Sequence, residues 1–337
     1  MQLYIALFIV LTLCTLVWLS IWLALRAAIV HPRHSGRRQL AQLDVSEIAL
    51  ADRLQGHIRA VASVPHNLYY PTALERSASY IEQVLIEAGL EPQRHPFRCR
   101  QGPVRNIEVV LEPAVVARAW PTLIVGAHYD SPDDSPGAND NGTGVAALIE
   151  IAKSLKDRPL TRRVRIVFYV NEEAPWGKTP EMGSWRHAKA MKDSGEAVEG
   201  MLALETLGHF STARGSQQFP FPFGLLYGDR GDFVAFVGML RGRRFVHDLV
   251  ATFRNCAEVP SIGGVAPRAI EGIDLSDHWA YDQFGFPAAM VTDTAPFRNP
   301  YYHQTFDTPD KVDYPMLARV TRDLSETIAT MASRPLR

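Results

Sequence analysis

The segment from Thr122 to Asn141 constrains this chain more than any other part of the sequence. It reads TLIVGAHYDSPDDSPGANDN, an apolar run that closes at Gly126 and is followed by His128, Asp130 and Asp140. An apolar run that ends at a glycine is typical of a buried strand leading into a loop. In open α/β sheets, ligands bind beyond the carboxyl ends of the strands, so a candidate site is expected in this loop.

The polar residues of this segment are suited to binding a metal. A neutral imidazole and a carboxylate are both good zinc ligands, and His128 and Asp140 supply one of each. They are too far apart in sequence to share one helical face, so the loop has to fold to bring them together. Asp130 is placed to hold the second ring nitrogen of His128, as outer-shell partners of ligating histidines usually do. Taken alone, the same residues also fit an ordinary polar loop.

Apolar periodicity along the rest of the chain alternates between strand and helix. Strands are predicted at residues 94–98, 104–111, 122–125, 164–170, 201–204 and 288–291, and helices at 45–64, 74–88, 141–155, 184–192, 244–256, 277–283 and 314–332. Strands that alternate with helices indicate a layered α/β domain. We therefore predict a mainly parallel, mixed central sheet flanked by helices on both faces.

The N-terminal residues predict a membrane anchor. Residues 3–25 contain no charged side chain. This stretch is long enough to cross a bilayer with some tilt. No basic residue precedes this stretch and no small-x-small cleavage site is evident, so a single-pass signal-anchor is predicted over a cleavable signal peptide. The expected organisation is a transmembrane anchor at 1–30 in contact with the lipid bilayer through residues 3–25, a basic connector at 31–44, and a folded domain at 45–337. The arginines that follow the anchor would keep this domain in the cytoplasm.

Charge and cysteine content exclude some classes of protein. The formal net charge is −1, with 35 basic and 36 acidic side chains, so no nucleic-acid partner is predicted. Three cysteines do not make a disulfide framework. Cys14 lies in the leader, and whether Cys99 and Cys256 pair is left open by the sequence.

Further candidate ligands follow the later strands. The strand at 164–170 runs into Glu172 and Glu173, the strand at 201–204 runs into Glu205, and the last strand leads to a loop with Tyr302 and His303. Adjacent carboxylates on an extended segment point in opposite directions, so one can bind a metal while the other faces a neighbouring water. Together with the first loop, two histidines and three carboxylates suit a pair of zinc ions that share one carboxylate.

Seven short motifs carry a family resemblance. They are GAHYDS (126–131), GANDNGTG (137–144), NEE (171–173), MGS (182–184), LETLG (204–208), SDH (276–278) and YYHQTFDT (301–308). This set resembles the di-zinc aminopeptidase family, whose relatives include glutamate carboxypeptidase-type peptidases and glutaminyl cyclases, over about residues 50–335. The resemblance implies a zinc exopeptidase-like fold and makes residues 45–337 a zinc peptidase catalytic domain.

The resemblance also implies a ligand set. His128 and Glu205 would bind the first zinc ion, Glu173 and His303 would bind the second, and Asp140 would bridge the two. One departure is Glu205, where many members carry aspartate. This leaves the same donor oxygens but puts the geometry and the metal preference in question.

The implied reaction is metal-assisted hydrolysis of a peptide with a free N-terminus. Glu172 would be the general base and Tyr302 would polarise the scissile carbonyl. His278 of the SDH motif is interpreted as a loop-ordering residue near the pocket. Members of this family are commonly exported or lumenal, which conflicts with the cytoplasmic side that the arginines favour, so the side is left open.

Two alternatives to a peptidase remain. One is a glutaminyl cyclase-like acyltransferase on the same fold with a single zinc ion. Glutaminyl cyclases carry a tryptophan before the last histidine and a serine after the bridging aspartate. This chain has Tyr302 and Asn141 at those positions, which favours the peptidase. The other is a non-catalytic membrane-anchored ectodomain. The presence of all five candidate ligands and of the base argues against it.

Overall fold

The computed structural model of the chain describes residues 2–33, 40–113, 120–219 and 223–334. Its strands are β1 (Ile29–Arg33), β2 (Gln93–Cys99), β3 (Gly102–Leu111), β4 (Thr122–His128), β5 (Val164–Tyr169), β6 (Val198–Glu205), β7 (Val234–Met239), β8 (Ser261–Ala266) and β9 (Ala288–Thr292). Its helices are α1 (Gln2–Ala28), α2 (Val45–Val61), α3 (Pro71–Glu87), α4 (Gly144–Leu155), α5 (Gly183–Ser194), α6 (Gly224–Tyr227), α7 (Arg243–Cys256), α8 (His278–Gln283) and α9 (Tyr314–Ser333).

The nine strands form one sheet in the order β1-β8-β7-β9-β6-β4-β5-β3-β2. The four central strands, β9, β6, β4 and β5, are parallel to one another. Strands β3 and β2 continue one side in antiparallel pairing, and β7 joins the other side antiparallel to β9. The prediction of a mixed sheet is confirmed, but parallel pairing is confined to the centre and to β7–β8. The prediction that the sheet is mainly parallel is therefore only half correct.

Helices cover both faces of the sheet, as predicted. Successive strand residues point to opposite faces, and β4 illustrates this: Leu123 and Val125 pack into the larger core, whereas Ile124 packs into the smaller one. The larger core also takes buried side chains from α2, α3, α4, α7 and α9, and the smaller core takes them from α5 and α8. Because both faces are covered, β4 is buried along its whole length.

Local sequence explains where the helices around the site begin. Asp44 and Glu47 form a capping box at the start of α2, in which each side chain accepts the backbone N–H of the other residue. At the start of α4, the side-chain Oδ1 of Asn141 accepts the N–H of Gly144 at 3.1 Å. This bond satisfies one of the backbone N–H groups that have no partner within the helix.

The segment predicted as an anchor folds as the helix α1, so the helical part of that prediction is confirmed. Over the part of the chain that the structure describes, no helix has both the length and the mean hydropathy of a membrane-spanning segment. The predicted transmembrane anchor, and the bilayer contact through residues 3–25, are therefore not supported. The predicted connector at 31–44 supplies the end of β1, and its residues 34–39 lie outside the described residues. The membrane location and the three-part division of the chain stay predictions.

Three strands were not predicted. β7 and β8 extend the sheet beyond β9, and β1 forms the edge outside β8. The SIGGVA sequence of β8 contains two glycines, which have low strand propensity, so local composition does not indicate a strand there. Cys99 and Cys256 are both free thiols, which answers the question that the sequence left open.

Candidate metal centre

The predicted ligands meet at one edge of the sheet. His128 is the last residue of β4 and Glu205 is the last residue of β6. Glu172 and Glu173 follow β5, which pairs with β4 on its other side. Because these three strands are parallel and adjacent, their carboxyl ends lie side by side. The turn that precedes α4 brings Asp140 to within 3.4 Å of His128.

Two groups of ligand atoms share Asp140. In the first, the Nε2 atom of His128 lies 3.4 Å from Oδ1 of Asp140 and 3.2 Å from Oε2 of Glu205. In the second, the Nε2 atom of His303 lies 3.0 Å from Oδ2 of Asp140 and 3.6 Å from Oε1 of Glu173. The carboxylate of Asp140 thus turns one oxygen to each histidine.

These residues fit a zinc site in the spacing of their ligand atoms and in having buried polar atoms without hydrogen-bond partners. Tetrahedral zinc with bonds of about 2.0–2.1 Å keeps neighbouring ligand atoms about 3.3 Å apart, which the observed separations match. Among the described residues, Nε2 of His128, Oδ1 of Asp140 and Oε1 of Glu173 are buried and have no hydrogen-bond partner. Buried polar atoms are normally satisfied, so these three atoms call for a ligand that accepts lone pairs.

The electrostatics of the site point the same way. Burial and the nearby Asp140 carboxylate raise the pKa of Glu173 well above its usual range. Burial also raises the pKa of Glu205, against the opposing effect of His128. Carboxylates packed this closely resist ionisation unless positive charge lies among them. A divalent cation would supply that charge, so the cluster could hold a metal ion.

Glu172 differs from its neighbour Glu173. Its Oε2 lies 4.0 Å from Nε2 of His128, and its side chain is 15% exposed, compared with 5% for Glu173. Burial, together with Asp130 and Asp140, raises the pKa of Glu172 to about 7, although His128 opposes the shift. His128, Glu172 and Glu173 can also be grouped as a three-atom cluster. Glu172 nevertheless lies outside the two groups that share Asp140.

Asp130 contacts the second ring nitrogen of His128 through its main chain. Its carboxylate Oδ1 lies 3.6 Å from Nδ1 of His128, whereas its backbone carbonyl accepts from that nitrogen at 3.1 Å. The carboxylate instead accepts the backbone N–H groups of Glu172 and Glu173, at 3.1 and 3.2 Å. Asp130 therefore fixes His128 through its main chain and fixes the two glutamates through its side chain.

Tyr302 lies beside the second group. Its ring stacks on the ring of His303, with centroids 3.9 Å apart. Burial raises the pKa of its hydroxyl well above the ordinary value, so the hydroxyl keeps its proton and can donate it in a hydrogen bond. Tyr302 and Glu205 also line a cavity of about 870 Å³, a volume that includes the solvent at its mouth.

Sequence reasoning missed two residues that support the ligands. Ser276, of the SDH motif, donates its hydroxyl to Oε2 of Glu205 at 2.8 Å. Asp307 lies four residues after His303 and is fully buried, with its carboxylate on the backbone of the Asp140 turn. The spacing within YYHQTFDT was the only local sign of Asp307. His278 contacts the carbonyl of Ile273, a cavity-lining residue, at 2.8 Å, which agrees with a loop-ordering role.

Comparison with known proteins identifies relatives by sequence. The chain is 38% identical to Uncharacterized protein YfbL of Escherichia coli (strain K12), over 73% of this chain and 77% of that protein. It is 28% identical to a protein named probable leucine aminopeptidase in Arthroderma otae, over 60% of this chain and 51% of that protein. The chain thus spans about half the length of that relative.

Solved structures share the fold. An aminopeptidase from Aneurinibacillus sp. strain AM-1 aligns with a TM-score of 0.65 at 17% identity, covering 85% of this chain and 95% of that one. A glutaminyl cyclase of Fimbriiglobus ruber aligns with a TM-score of 0.58 at 18% identity, covering 86% and 96%.

A sequence profile fixes the family. The profile described as peptidase family M28 matches residues 109–328, which is more than half of the chain. The matched residues run from β3 to α9 and include every member of the two groups around Asp140. The chain is a peptidase, and it belongs to peptidase family M28.

Proposed function

We propose that this peptidase is an aminopeptidase that uses two zinc ions, one in each of the two groups that share Asp140. The observation that carries the proposal is the carboxylate of Asp140, whose two oxygens face His128 and His303 separately. His128 and Glu205 would complete the first site, and Glu173 and His303 would complete the second. All five ligands are nitrogen or oxygen donors, which suits zinc.

When bound, zinc ions at these positions would lower the pKa of a water molecule and polarise the scissile carbonyl. Glu172 is the proposed general base, because it stands next to the groups that share Asp140 without belonging to either. It would take a proton from the attacking water and deliver it to the leaving amine, which a positioned carboxylate can do. Asp130 holds the backbone N–H of Glu172 and so fixes the approach of the base.

Tyr302 is the proposed donor to the carbonyl oxygen. Its buried hydroxyl stays protonated, and its position against His303 brings it to the edge of the second group. A donor that is already oriented towards developing negative charge stabilises a transition state without reorganisation. Replacement of Tyr302 by phenylalanine should therefore lower kcat and leave the zinc content unchanged.

The cavity supports a substrate with an apolar residue at its N-terminus. Beyond Glu205 and Tyr302, its wall is built largely from apolar side chains: Phe219, Phe223, Tyr227, Ile262, Met290 and Phe297. Burial of a leucine-sized side chain in such a cavity contributes about 1.5–3 kcal/mol to binding. The relative named probable leucine aminopeptidase supports the same choice.

The test uses the purified full chain. Elemental analysis should find two zinc ions per chain, and a chelator should abolish activity, with recovery on zinc addition. The leucine arylamide should be hydrolysed faster than the lysine or glutamate arylamide. The matched control is the N-acetylated leucine arylamide, which should resist hydrolysis because it lacks the free amine.

Three outcomes would overturn the proposal. Full activity of the metal-free protein would exclude a metal-dependent peptidase. Equal hydrolysis of the free and N-acetylated substrates would exclude an aminopeptidase. Cyclisation of an N-terminal glutamine peptide, without hydrolysis of any arylamide, would assign the glutaminyl cyclase alternative instead.

A further inference from the structure

A single residue, Asp307, holds the backbone of the Asp140 turn. Its carboxylate accepts the N–H of Asn139 at 2.9 Å and the N–H of Asp140 at 3.0 Å. Its carbonyl oxygen accepts the N–H of Ala138 at 3.1 Å. Three consecutive backbone donors therefore converge on one fully buried residue.

Asp307 belongs to the same loop as His303, the most exposed member of the two groups. The side chain of His303 is 42% exposed, and its backbone adopts a left-handed φ of 57°. Such a conformation is uncommon for a residue other than glycine and persists only where surrounding contacts hold it. Asp307 provides such a hold, because it ties the His303 loop to the turn that carries Asp140.

The first group is held by different contacts. The side chain of Asn141 donates to the carbonyl of Leu204 at 2.8 Å and accepts the N–H of Thr206 at 3.1 Å. The side chain of Asn139 accepts the N–H of Gly208 at 2.8 Å. The side-chain amides of the two residues that flank Asp140 thus hydrogen-bond to the segment that contains Glu205. These contacts do not involve the side chain of Asp307.

We propose that Asp307 is a positioning residue that sets the distance between Asp140 and His303, and so controls the metal affinity of the second group separately from the first. This inference rests on the proposed two-zinc function. Outer-shell contacts of metal ligands typically contribute about 10–100-fold to affinity. Loss of the Asp307 carboxylate would remove two of the three backbone contacts that tie the His303 loop to the Asp140 turn, while the asparagine amides keep Asp140 in place beside Glu205.

The experiment titrates the metal-free full chain with Zn²⁺ in competition with a chromogenic chelator. Wild type should show two binding events. In Asp307→Ala, the event that is lost in His303→Ala should weaken by about 10–100-fold in affinity, and the other event should change far less. Asp307→Asn should fall between the two proteins, because an amide keeps one acceptor oxygen. This conservative variant also carries the test if the alanine variant does not fold.

Asp323 provides a matched control. It is 1% exposed, lies on α9, and its carboxylate likewise accepts two consecutive backbone N–H groups, those of Glu258 and Val259, at 3.1 and 3.3 Å. Asp323→Ala should lower the melting temperature of the metal-free protein and leave both zinc affinities unchanged. A purely structural role for Asp307 predicts the same result for Asp307→Ala.

The outcomes separate the two proposals. Two zinc sites in wild type, with both affinities retained in Asp307→Ala, would overturn the positioning role alone. An equal fall at both sites, or the same fall in Asp323→Ala, would also overturn it. Fewer than two sites in wild type would overturn the proposed function itself, and this inference with it.

Discussion

Gly144, the first residue of α4, leaves no room for a side chain. A Cβ at this position would lie 2.3 Å from Oδ1 of Asn141 and 2.7 Å from the carbonyl oxygen of Leu204. Ordinary van der Waals contacts begin at 3.4 Å. Gly144→Ala therefore has to move α4 and the end of β6 apart by roughly 1 Å, at a cost of about 1–3 kcal/mol in the free energy of unfolding. We expect the upper part of this range, since one of the two atoms belongs to the backbone.

The same displacement would reach the proposed centre, because Asn141 adjoins Asp140 and Leu204 adjoins Glu205. A misplacement of about 1 Å at a reacting group can lower the rate about 10²-fold. The assay is urea unfolding of the metal-free protein, together with kcat/KM for the leucine arylamide. Gly56→Ala is the matched control: it lies inside α2 with nothing within 4 Å of the added Cβ. The free energy of unfolding of Gly56→Ala should exceed that of wild type by up to about 1 kcal/mol, because alanine has a higher helix propensity than glycine. Wild-type stability and activity in Gly144→Ala would refute this reasoning.

Two further predictions concern carboxylates. Glu172→Gln should lower turnover by about 10²–10⁴-fold with zinc content unchanged, because it removes the proton acceptor alone; Glu173→Gln should lower zinc content, and the reverse pattern would exchange the two roles. Glu150 is buried, but hydrogen bonds from His57, Lys153 and Arg53 outweigh burial and lower its pKa to about 2. A carboxyl group whose pKa is lowered by folding stabilises the folded state at pH values above its unfolded-state pKa. In urea unfolding near pH 6, the free energy of unfolding of wild type should therefore exceed that of Glu150→Gln by at most about 3 kcal/mol. It should shrink as the pH falls from about 4.5 towards 2, and a difference that does not depend on pH would contradict the assignment.

The convergence of the candidate ligands was predictable because it depends on local sequence. His128 and Glu205 each end an apolar run, and the carboxyl ends of parallel strands meet at one edge of a sheet. Once the strands are recognised, convergence follows from the fold. Asp140 is less direct, since a turn has to bring it back to His128, and only its two flanking asparagines indicate how that turn is held.

The supporting contacts were not predictable because they join distant parts of the chain. The carboxylate of Asp307 reaches backbone atoms 167 and 168 positions away, and no local pattern specifies such a pairing. The direction of strand pairing has the same difficulty. β7 lies antiparallel to β9 although its apolar sequence resembles that of the parallel central strands. Asp130 shows a finer limit, because its sequence position fixed the contact with His128 but not which of its oxygens makes it.

The central claim is that Asp140 bridges two zinc ions. Diffraction from zinc-loaded crystals, recorded on either side of the zinc absorption edge, tests it most directly, because the anomalous difference map locates each ion independently of the protein atoms. The account predicts two peaks, one on each side of the Asp140 carboxylate. One peak should lie against His128 and Glu205, and the other against Glu173 and His303. A single peak, or a second peak held by Glu172 in place of Glu173, would contradict it.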